Sequence, residues 1–511
     1  MNTAAFLSKA ADAHRDRVAL RFGDRRLSYG ELEEQAARLA GALLDAGLAP
    51  GERLGVYMRN NPEYLITVFA AFRAGLCVVP VNAKLHPSEL AYILSNAECS
   101  ALVYGEEKST DVSEAVSQLE MDHLVRVGAA GPGTDFVALL DAGSPATPIA
   151  EVGPDDLAWL FYTSGTTGFP KGAMLTHRNL VAMTMNTLAD VYSFQPEDVV
   201  LHPAPLSHGC GLYALASIAR GADNIIYHHA SFNPAEMLQM VEDERVSCVA
   251  FMAPTMIVLL LDAPANIDTS SLRSVIYGGG PMHVDILREA LARFGPVFVQ
   301  IYGQGEAPMT ISYLRARDHD IDDPAALAST GTARTDVEIR MVDESGEEVA
   351  AGEEGEVSVR GDVVMKGYWN NPEATASSLR NGWLHTGDIG RLDERGRLFL
   401  LDRKNDMIIS GGTNIYPREV EEALIEHPDV REAVVFGVPD TVWGESVFAC
   451  VVAAHGADPQ EDQLIEFCKQ HLASFKKPKR VAIVDELPKN AYGKVLRREL
   501  KEQYRAEGRQ T

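Results

Sequence analysis

Cysteine is scarce in this chain, with six in 511 residues. Cys77, Cys99, Cys210, Cys248, Cys450 and Cys468 are scattered and form no C-x-x-C pair. That excludes a disulfide framework and a zinc site of the usual spacing, and it suits the reduced thiols of a cytoplasmic protein. Long apolar runs are missing as well. The most apolar stretch, 248–261, contains Pro254 and Thr255 and is too short to span a bilayer, so no integral membrane segment is expected. The first residues lack a basic region followed by an apolar core, so no signal peptide is expected. Internal repeats and low-complexity tracts are absent. Positive charge is in deficit: 46 Lys and Arg against 72 Asp and Glu give a net charge of −26. That argues against a nucleic-acid partner unless the basic residues cluster, and their one cluster lies near the C-terminus.

What is present is an ordinary globular composition, 46% hydrophobic and 23% charged, in a chain too long for one core. Two or more domains are expected. The stretch around which the chain is organised is Tyr162-Thr163-Ser164-Gly165-Thr166-Thr167-Gly168-Phe169-Pro170-Lys171-Gly172. An apolar run, 157–162, precedes it and reads as a buried strand. Thr176 follows as the cap of a helix that begins His177-Arg178-Asn179. A glycine-rich loop leaving a strand lets backbone N–H groups approach a polyphosphate, the hydroxyls add donors and Lys171 adds charge. The Walker A spacing fails, because Pro170 stands where its second glycine belongs and Gly172 follows the lysine. On composition alone, a solvated loop between strand and helix remains open.

Around this loop the chain alternates. Ser28 and Glu31 form a capping box for a helix ended by Gly47. Strands at 54–58, 77–81 and 101–104 alternate with helices at 62–73 and 88–95. The segment 128–148 reads as loop. Beyond the hydroxyl-rich stretch, strands at 225–227, 247–251, 275–277 and 297–302 alternate with helices at 234–244 and 284–294. This pattern implies an α/β core with mainly parallel sheets. Short strands at 337–342, 355–360, 389–392 and 397–401, with turns at 343–346 and 393–396, indicate a small antiparallel β subdomain. After Asp402 a compact α+β unit follows, with helices at 417–425 and 461–472 and strands at 433–438, 447–452 and 481–484.

The segment TSGTTGFPKG resembles the phosphate-loop signature of the adenylate-forming superfamily, which holds acyl-CoA synthetases, luciferases and peptide-synthetase adenylation domains. Further matches follow in the family's order almost to the C-terminus. The resemblance implies an acyl-CoA synthetase with a large N-terminal domain, 1–402, of two α/β subdomains plus a small β subdomain. A small mobile α+β C-terminal domain, 403–511, follows. It also implies ATP and Mg²⁺, with coenzyme A as co-substrate, and it leaves room for a homodimer. By the same resemblance, Thr163, Ser164, Gly165, Thr166, Thr167, Gly168 and Lys171 bind the triphosphate. In Leu206-Ser207-His208-Gly209-Cys210-Gly211, His208 sits beside the acyl site. Gly278-Gly279-Gly280-Pro281 lies against adenine. In Tyr302-Gly303-Gln304-Gly305-Glu306, Tyr302 stacks on adenine and Glu306, with Thr163, holds Mg²⁺. Gly305 stands where the family usually has threonine, so one hydroxyl contact to the α-phosphate is missing. A threonine restored there is expected to be tolerated.

Farther on, Asp388 in Gly382-Trp383-Leu384-His385-Thr386-Gly387-Asp388 matches the ribose-binding carboxylate. Arg403 contacts ribose or phosphate, and Asn405 stands where the family's pivot is Asp or Lys. Gly411 and Gly412 let the pantetheine arm pass. Lys494, in Lys489-Asn490-Ala491-Tyr492-Gly493-Lys494, is the catalytic lysine that bridges carboxylate and α-phosphate, alongside His208, Thr163 and Lys171. Lys476 and Lys477, with Lys479 and Arg480, suit the CoA phosphates. The acyl pocket is assigned to His208, Gly209, Gly211, Met252, Gly278, Gly279, Gly303 and Met309, all small or apolar apart from His208. That points to a lipophilic monocarboxylic acid, fatty or ring-containing. Transfer to the thiol of a separate carrier protein, luciferase-type oxygenation and a non-catalytic nucleotide-binding protein are the alternatives.

Overall fold

The computed structural model describes residues 1–117, 119, 121, 123–163, 170–229, 231–264, 266–403, 406–410, 413–489 and 495–505. The architecture is α/β, as the alternation of the sequence implies, and four sheets organise it. A seven-stranded sheet runs Thr134–Asp135, His123–Val127, Cys99–Gly105, Arg53–Tyr57, Cys77–Pro80, Leu157–Thr163 and Lys171–Thr176. Only its last pair is antiparallel. A nine-stranded sheet has at its centre the parallel run Phe298–Tyr302, Ser274–Gly278, Cys248–Met252, Val199–His202, Asp223–Ile226 and Val18–Phe22. Their central strands, Cys77–Pro80 in the first sheet and Cys248–Met252, Ser274–Gly278 and Phe298–Tyr302 in the second, are buried on both faces, as sheets covered by helices require. Short strands between 338 and 403 form a five-stranded sheet, and a second five-stranded sheet lies beyond residue 407.

The chain divides into two compact units. The first comprises residues 1–339 and 359–385, the second 340–358 and 386–511. In the first unit the expected local signals hold. Ser28 and Glu31 make a reciprocal capping box, and Asn61 caps the helix Pro62–Ala74, which Gly75 ends in a left-handed conformation. In the second unit, the long antiparallel pair Val430–Asp440 and Gly444–Ala453 packs its apolar faces against the helices Pro417–Ile425 and Glu461–His471 on one side and Arg497–Gln503 on the other.

Two expectations need correction. The 128–148 segment is not all loop: Phe136–Ala142 is a helix, capped by the Asp135 carboxylate, which accepts from Val137 N–H and Ala138 N–H. Glycine and proline on either side hid a short run of good helix formers whose Phe136 is buried. The hydroxyl-rich stretch does not lead directly into a helix either. It joins the two strands of an antiparallel hairpin, and Lys171–Thr176 is a strand of its own before Thr176 caps the helix His177–Asn186.

Candidate active site

In a parallel sheet the carboxyl ends of neighbouring strands share one edge, and ligands gather there. The turns singled out in the sequence lie on that edge in the first unit. Gly279-Gly280-Pro281 follows Ser274–Gly278, Gly303–Glu306 follows Phe298–Tyr302, and His208 lies six residues beyond Val199–His202. Gly279 adopts φ +80°, and nothing closer than 3.8 Å meets a Cβ built on Gly280, so this turn is open. Pro281 is exposed and Tyr302 largely buried. Gly278 instead answers to the sheet: its Cβ would lie 2.3 Å from the Ile301 carbonyl oxygen.

The hairpin register sets Thr163 directly opposite Lys171, so hydroxyl and ammonium project from one face at its mouth. Thr163 Oγ1 donates to Glu306 Oε1 at 3.3 Å. Tyr368, which the sequence reading missed, donates its hydroxyl to the same oxygen at 2.7 Å. The Lys171 ammonium lies 5.3 Å from the Tyr368 ring centroid. Backbone hydrogen bonds hold this second tyrosine in place: Trp369 N–H donates to Gly172, Met174 N–H to Gly367 and Met365 N–H to the Glu306 carbonyl. Thr163, Lys171, Glu306 and Tyr368 thus form one polar cluster, with Glu306 nearly buried.

Mg²⁺ takes oxygen donors and usually keeps one or two protein ligands, the rest being waters and phosphates. The Glu306 carboxylate and Thr163 hydroxyl supply two such oxygens, and the residues fit the ion. Among the described residues no group of three or more His, Cys, Asp or Glu forms a larger metal site.

Gly305 has a structural reason that the sequence did not disclose. A Cβ there would lie 2.4 Å from Thr163 Cγ2 and 2.7 Å from the Phe161 ring. The space for a family-type threonine is occupied, so the expected tolerance is withdrawn. Gly305→Thr should push Thr163 off Glu306 and lower acyl-AMP formation on the order of tenfold, the cost of overpacking a filled site. Acid-dependent ATP–pyrophosphate exchange measures this, and unchanged exchange in the variant contradicts it.

His208 sits between aromatic rings, with the Phe161 centroid at 5.2 Å and the Phe251 centroid at 6.3 Å. Burial pushes its imidazole down to about 4, so it stands neutral at pH 7. Gly209 packs against Met309 and Phe251: its Cβ would lie 2.9 Å from Met309 Sδ and 3.0 Å from the Phe251 ring. Met309 takes φ +57°, an unusual backbone for a side-chain-bearing residue, and a Cβ on Gly303 would strike its backbone at 2.5 Å. Two pocket assignments shift. Met252 is fully buried in the core with Ile257 and Tyr277, whereas its neighbour Phe251 meets His208 and Gly209. Alternation along the strand sends adjacent side chains to opposite faces. Gly211 lacks a side chain because the Leu206 carbonyl oxygen lies 1.9 Å from its Cβ position.

His177, His202 and His319 are also buried in the first unit. His177 Nδ1 accepts from Thr3 N–H, His202 Nε2 pairs with Asn224 Oδ1, and His319 Nε2 pairs with the Tyr277 hydroxyl. Burial pushes each down to about 4 from 6.5. Between those values the unfolded chain binds more protons than the folded one, so stability is present above pH 6.5 and is lost as pH falls towards 4. Each contributes about 3 kcal/mol of destabilisation at the acid end. Calorimetry from pH 7 to 4.5 should show a falling Tm with about four protons taken up on unfolding, one for each of these three histidines and one for His208, whereas a flat Tm contradicts the assignment.

In the second unit the strand register sets Asp388 opposite Arg403, and Arg403 Nε lies 3.3 Å from Asp388 Oδ1. Of the basic group, Lys476 is held by Glu419 at 2.6 Å, Lys479 by Asp440 at 2.7 Å and Arg480 by Glu461 at 2.8 Å. Lys477 alone of the four has no such partner among the described residues. The Asp440–Lys479 pair sets this group beside the turn that carries Trp443, whose N–H also donates to Asp440. Trp443 and Phe475 are half exposed, an unusual position for large rings. Ser164, Gly165, Thr166, Thr167, Gly168, Asn405, Gly411, Gly412 and Lys494 lie outside the described residues.

The model of the AMP-binding enzyme family matches residues 7–369, and that of the AMP-binding enzyme C-terminal domain matches 419–494. A feruloyl-CoA synthase from Amycolatopsis is 40% identical over 491 residues, covering 95% of this chain and 96% of that protein. The medium/long-chain-fatty-acid–CoA ligase FadD8 of Mycobacterium tuberculosis is 35% identical over 508 residues, covering 95% and 87%. The amide bond synthetase McbA from Marinactinospora thermotolerans superposes with a TM-score of 0.90 at 32% identity, covering 99% of this chain and all of that one.

Proposed function

Because the chain belongs to the AMP-binding enzyme family and is an acid–thiol ligase, we propose that it activates a lipophilic monocarboxylic acid, ring-containing or fatty, as an acyl-AMP and transfers the acyl group to coenzyme A. The observation that carries this reading is the cluster Thr163, Lys171, Glu306 and Tyr368 at the hairpin mouth, near an aromatic pocket around a neutral His208. The carboxylate oxygen attacks the α-phosphorus of ATP and pyrophosphate leaves with the electron pair of the broken P–O bond. The protein's part is alignment and charge neutralisation rather than covalent catalysis. Lys171 and Lys494 offset negative charge on the phosphates and the attacking carboxylate. Glu306 and Thr163 would hold Mg²⁺, which neutralises phosphate charge when bound. Tyr368 fixes the Glu306 carboxylate for that task. Tyr302 and the Gly278–Pro281 turn receive the adenine, and Asp388 accepts from the ribose hydroxyls while Arg403 steadies it.

In the second half-reaction the CoA thiolate attacks the acyl carbon and AMP leaves. Gly411 and Gly412 give the pantetheine arm room. Lys477 takes the role first assigned to Lys476 and Lys477 together, and Trp443 and Phe475 offer rings to the nucleotide. Residue 402 is retained as the functional boundary, since the groups assigned to thioester formation follow it. Acid-dependent ATP–pyrophosphate exchange without CoA tests the first half-reaction. Exchange that needs both an acid and Mg²⁺ supports the reading. ATP binding with no exchange for any acid points to a non-catalytic nucleotide-binding protein instead.

A further inference from the structure

The Glu306 carboxylate rides on a loop that closes on itself between Tyr302 and Ile311. Ile311 N–H donates to the Tyr302 carbonyl at 2.9 Å, and the N–H groups of Gln304 and Thr310 both donate to the Ala307 carbonyl, at 3.2 and 3.3 Å. The return half of the loop turns at Met309, whose φ of +57° is one that residues with side chains rarely adopt. That turn brings the Met309 backbone so close to Gly303 that a Cβ on the glycine would lie 2.5 Å from Met309 Cα. A left-handed methionine is strained, and it persists only where its surroundings over-determine it.

Arg334 supplies the hold. It is 2% exposed, and its Nη2 donates to the Met309 carbonyl at 3.0 Å. Its N–H donates to the Ile311 carbonyl at 3.1 Å, so its main chain grips the exit of the loop while its side chain grips the turn. The residues after it are strapped in their turn. Asp190 accepts from the Thr335 N–H at 2.9 Å and from its hydroxyl at 2.6 Å, and Asn186 Nδ2 donates to Asp336 Oδ1 at 2.5 Å. Asn186 ends the helix His177–Asn186, and Asp190 lies in the π-helical turn Thr187–Val191 that extends it. Burying a cation is costly, and no step of the reaction above uses this one. On the other side of the loop, Met365 N–H donates to the Glu306 carbonyl at 2.8 Å. Glu306 therefore stands between two braces. We infer that Arg334 is a positioning residue for the Glu306 carboxylate: through the Met309 carbonyl it keeps Met309 left-handed, and the loop so closed aims Glu306 at Thr163. In this role it touches neither substrate nor metal.

This inference rests on the proposed ligase function, in which Glu306 and Thr163 hold Mg²⁺. The test reads binding rather than turnover. Mn²⁺ is titrated into the intact protein with α,β-methylene-ATP, and free Mn²⁺ is followed by its EPR signal. No acid is present, so the Met309 side chain's place in the acyl pocket does not enter the reading. In Arg334→Met the Mn²⁺ Kd should rise about tenfold, the lower end of the losses that follow when support behind a metal ligand is removed. Adding Met309→Gly to that variant should return the Kd to within about threefold of the wild type, because glycine takes a positive φ without strain. A merely structural arginine would lower the Tm and the number of sites per chain and leave the Kd where it was. Should Arg334→Met fail to fold, Asp190→Ala, which frees Thr335, is measured in its place, with a rise of about threefold expected. A Kd within about twofold of the wild type in the folded variant overturns the inference, and so does a raised Kd that Met309→Gly leaves unchanged. A wild type that binds no Mn²⁺ with the nucleotide overturns it as well. Failure of the ligase function alone would look different, as wild-type Mn²⁺ binding without acid-dependent pyrophosphate exchange.

Discussion

Lys494→Ala is expected to lower acyl-AMP formation by about 10²–10³-fold, the loss seen when one preorganised charge is removed from a developing anion. Conversion of supplied acyl-AMP and CoA to thioester should be largely spared. The asymmetry follows from the chemistry. The first half-reaction brings a carboxylate against a triphosphate, where a lysine offsets repulsion between anions. In the second, a thiolate attacks a mixed anhydride whose activation is already complete. The backbone flanking Lys494 is anchored without it: Lys489 pairs with Val495 and Leu496 N–H donates to Pro488. Arg497 is tied to Glu421 at 2.6 Å, so the alanine variant should fold. Both half-reactions are measured separately, by pyrophosphate exchange and by thioester formation from synthetic acyl-AMP. Equal losses in the two would remove Lys494 from the role assigned here.

Asn405→Pro should do the reverse, leaving about one equivalent of acyl-AMP on the enzyme and stopping thioester formation from added acyl-AMP. Proline fixes φ near −65° and removes the N–H, whereas asparagine visits unusual backbone regions more readily than most residues. A pivot that must hold two backbone conformations would therefore be locked. The flanks are well braced. Asp406 and Met407 both donate their N–H to the Arg403 carbonyl, at 2.9 and 3.1 Å, and Asp402 and Asp406 share the Arg497 guanidinium. None of these bonds uses the N–H that proline lacks, and an unchanged Tm in the variant would separate a locked pivot from a lost local fold. Full turnover of acid, ATP and CoA to thioester in the proline variant would show that the chain does not pivot at this residue.

How much of this was legible in the sequence depends on the range of the interaction. The alternation of strands and helices is local, and it led to the α/β architecture. Thr163, Lys171 and Glu306 could be named because each sits in a long motif, and the hairpin register and one hydrogen bond then bring them together. Tyr368 could not be named, because its partner Glu306 is 62 residues away and nothing near it announces the contact. The sequence could not say which of Phe251 and Met252 faces His208; in the structure Phe251 does, and Met252 packs into the core. Gly305 read as a missing hydroxyl until Phe161 and Thr163 were seen to fill the space. Lys476 was assigned to the CoA phosphates with its basic neighbours, and the sequence did not disclose that Glu419, on a different element, holds it.

The central claim is that one active site makes an acyl-AMP and then hands the acyl group to free CoA. The most direct measurement incubates the full-length protein with ATP, Mg²⁺, CoA and a panel of aromatic and fatty acids, and quantifies AMP and acyl-CoA together by mass spectrometry. The account predicts acid-dependent AMP in equal amount to an acyl-CoA thioester for at least one acid. Acid-dependent AMP with no thioester on free CoA would contradict it and assign the second step to another acceptor.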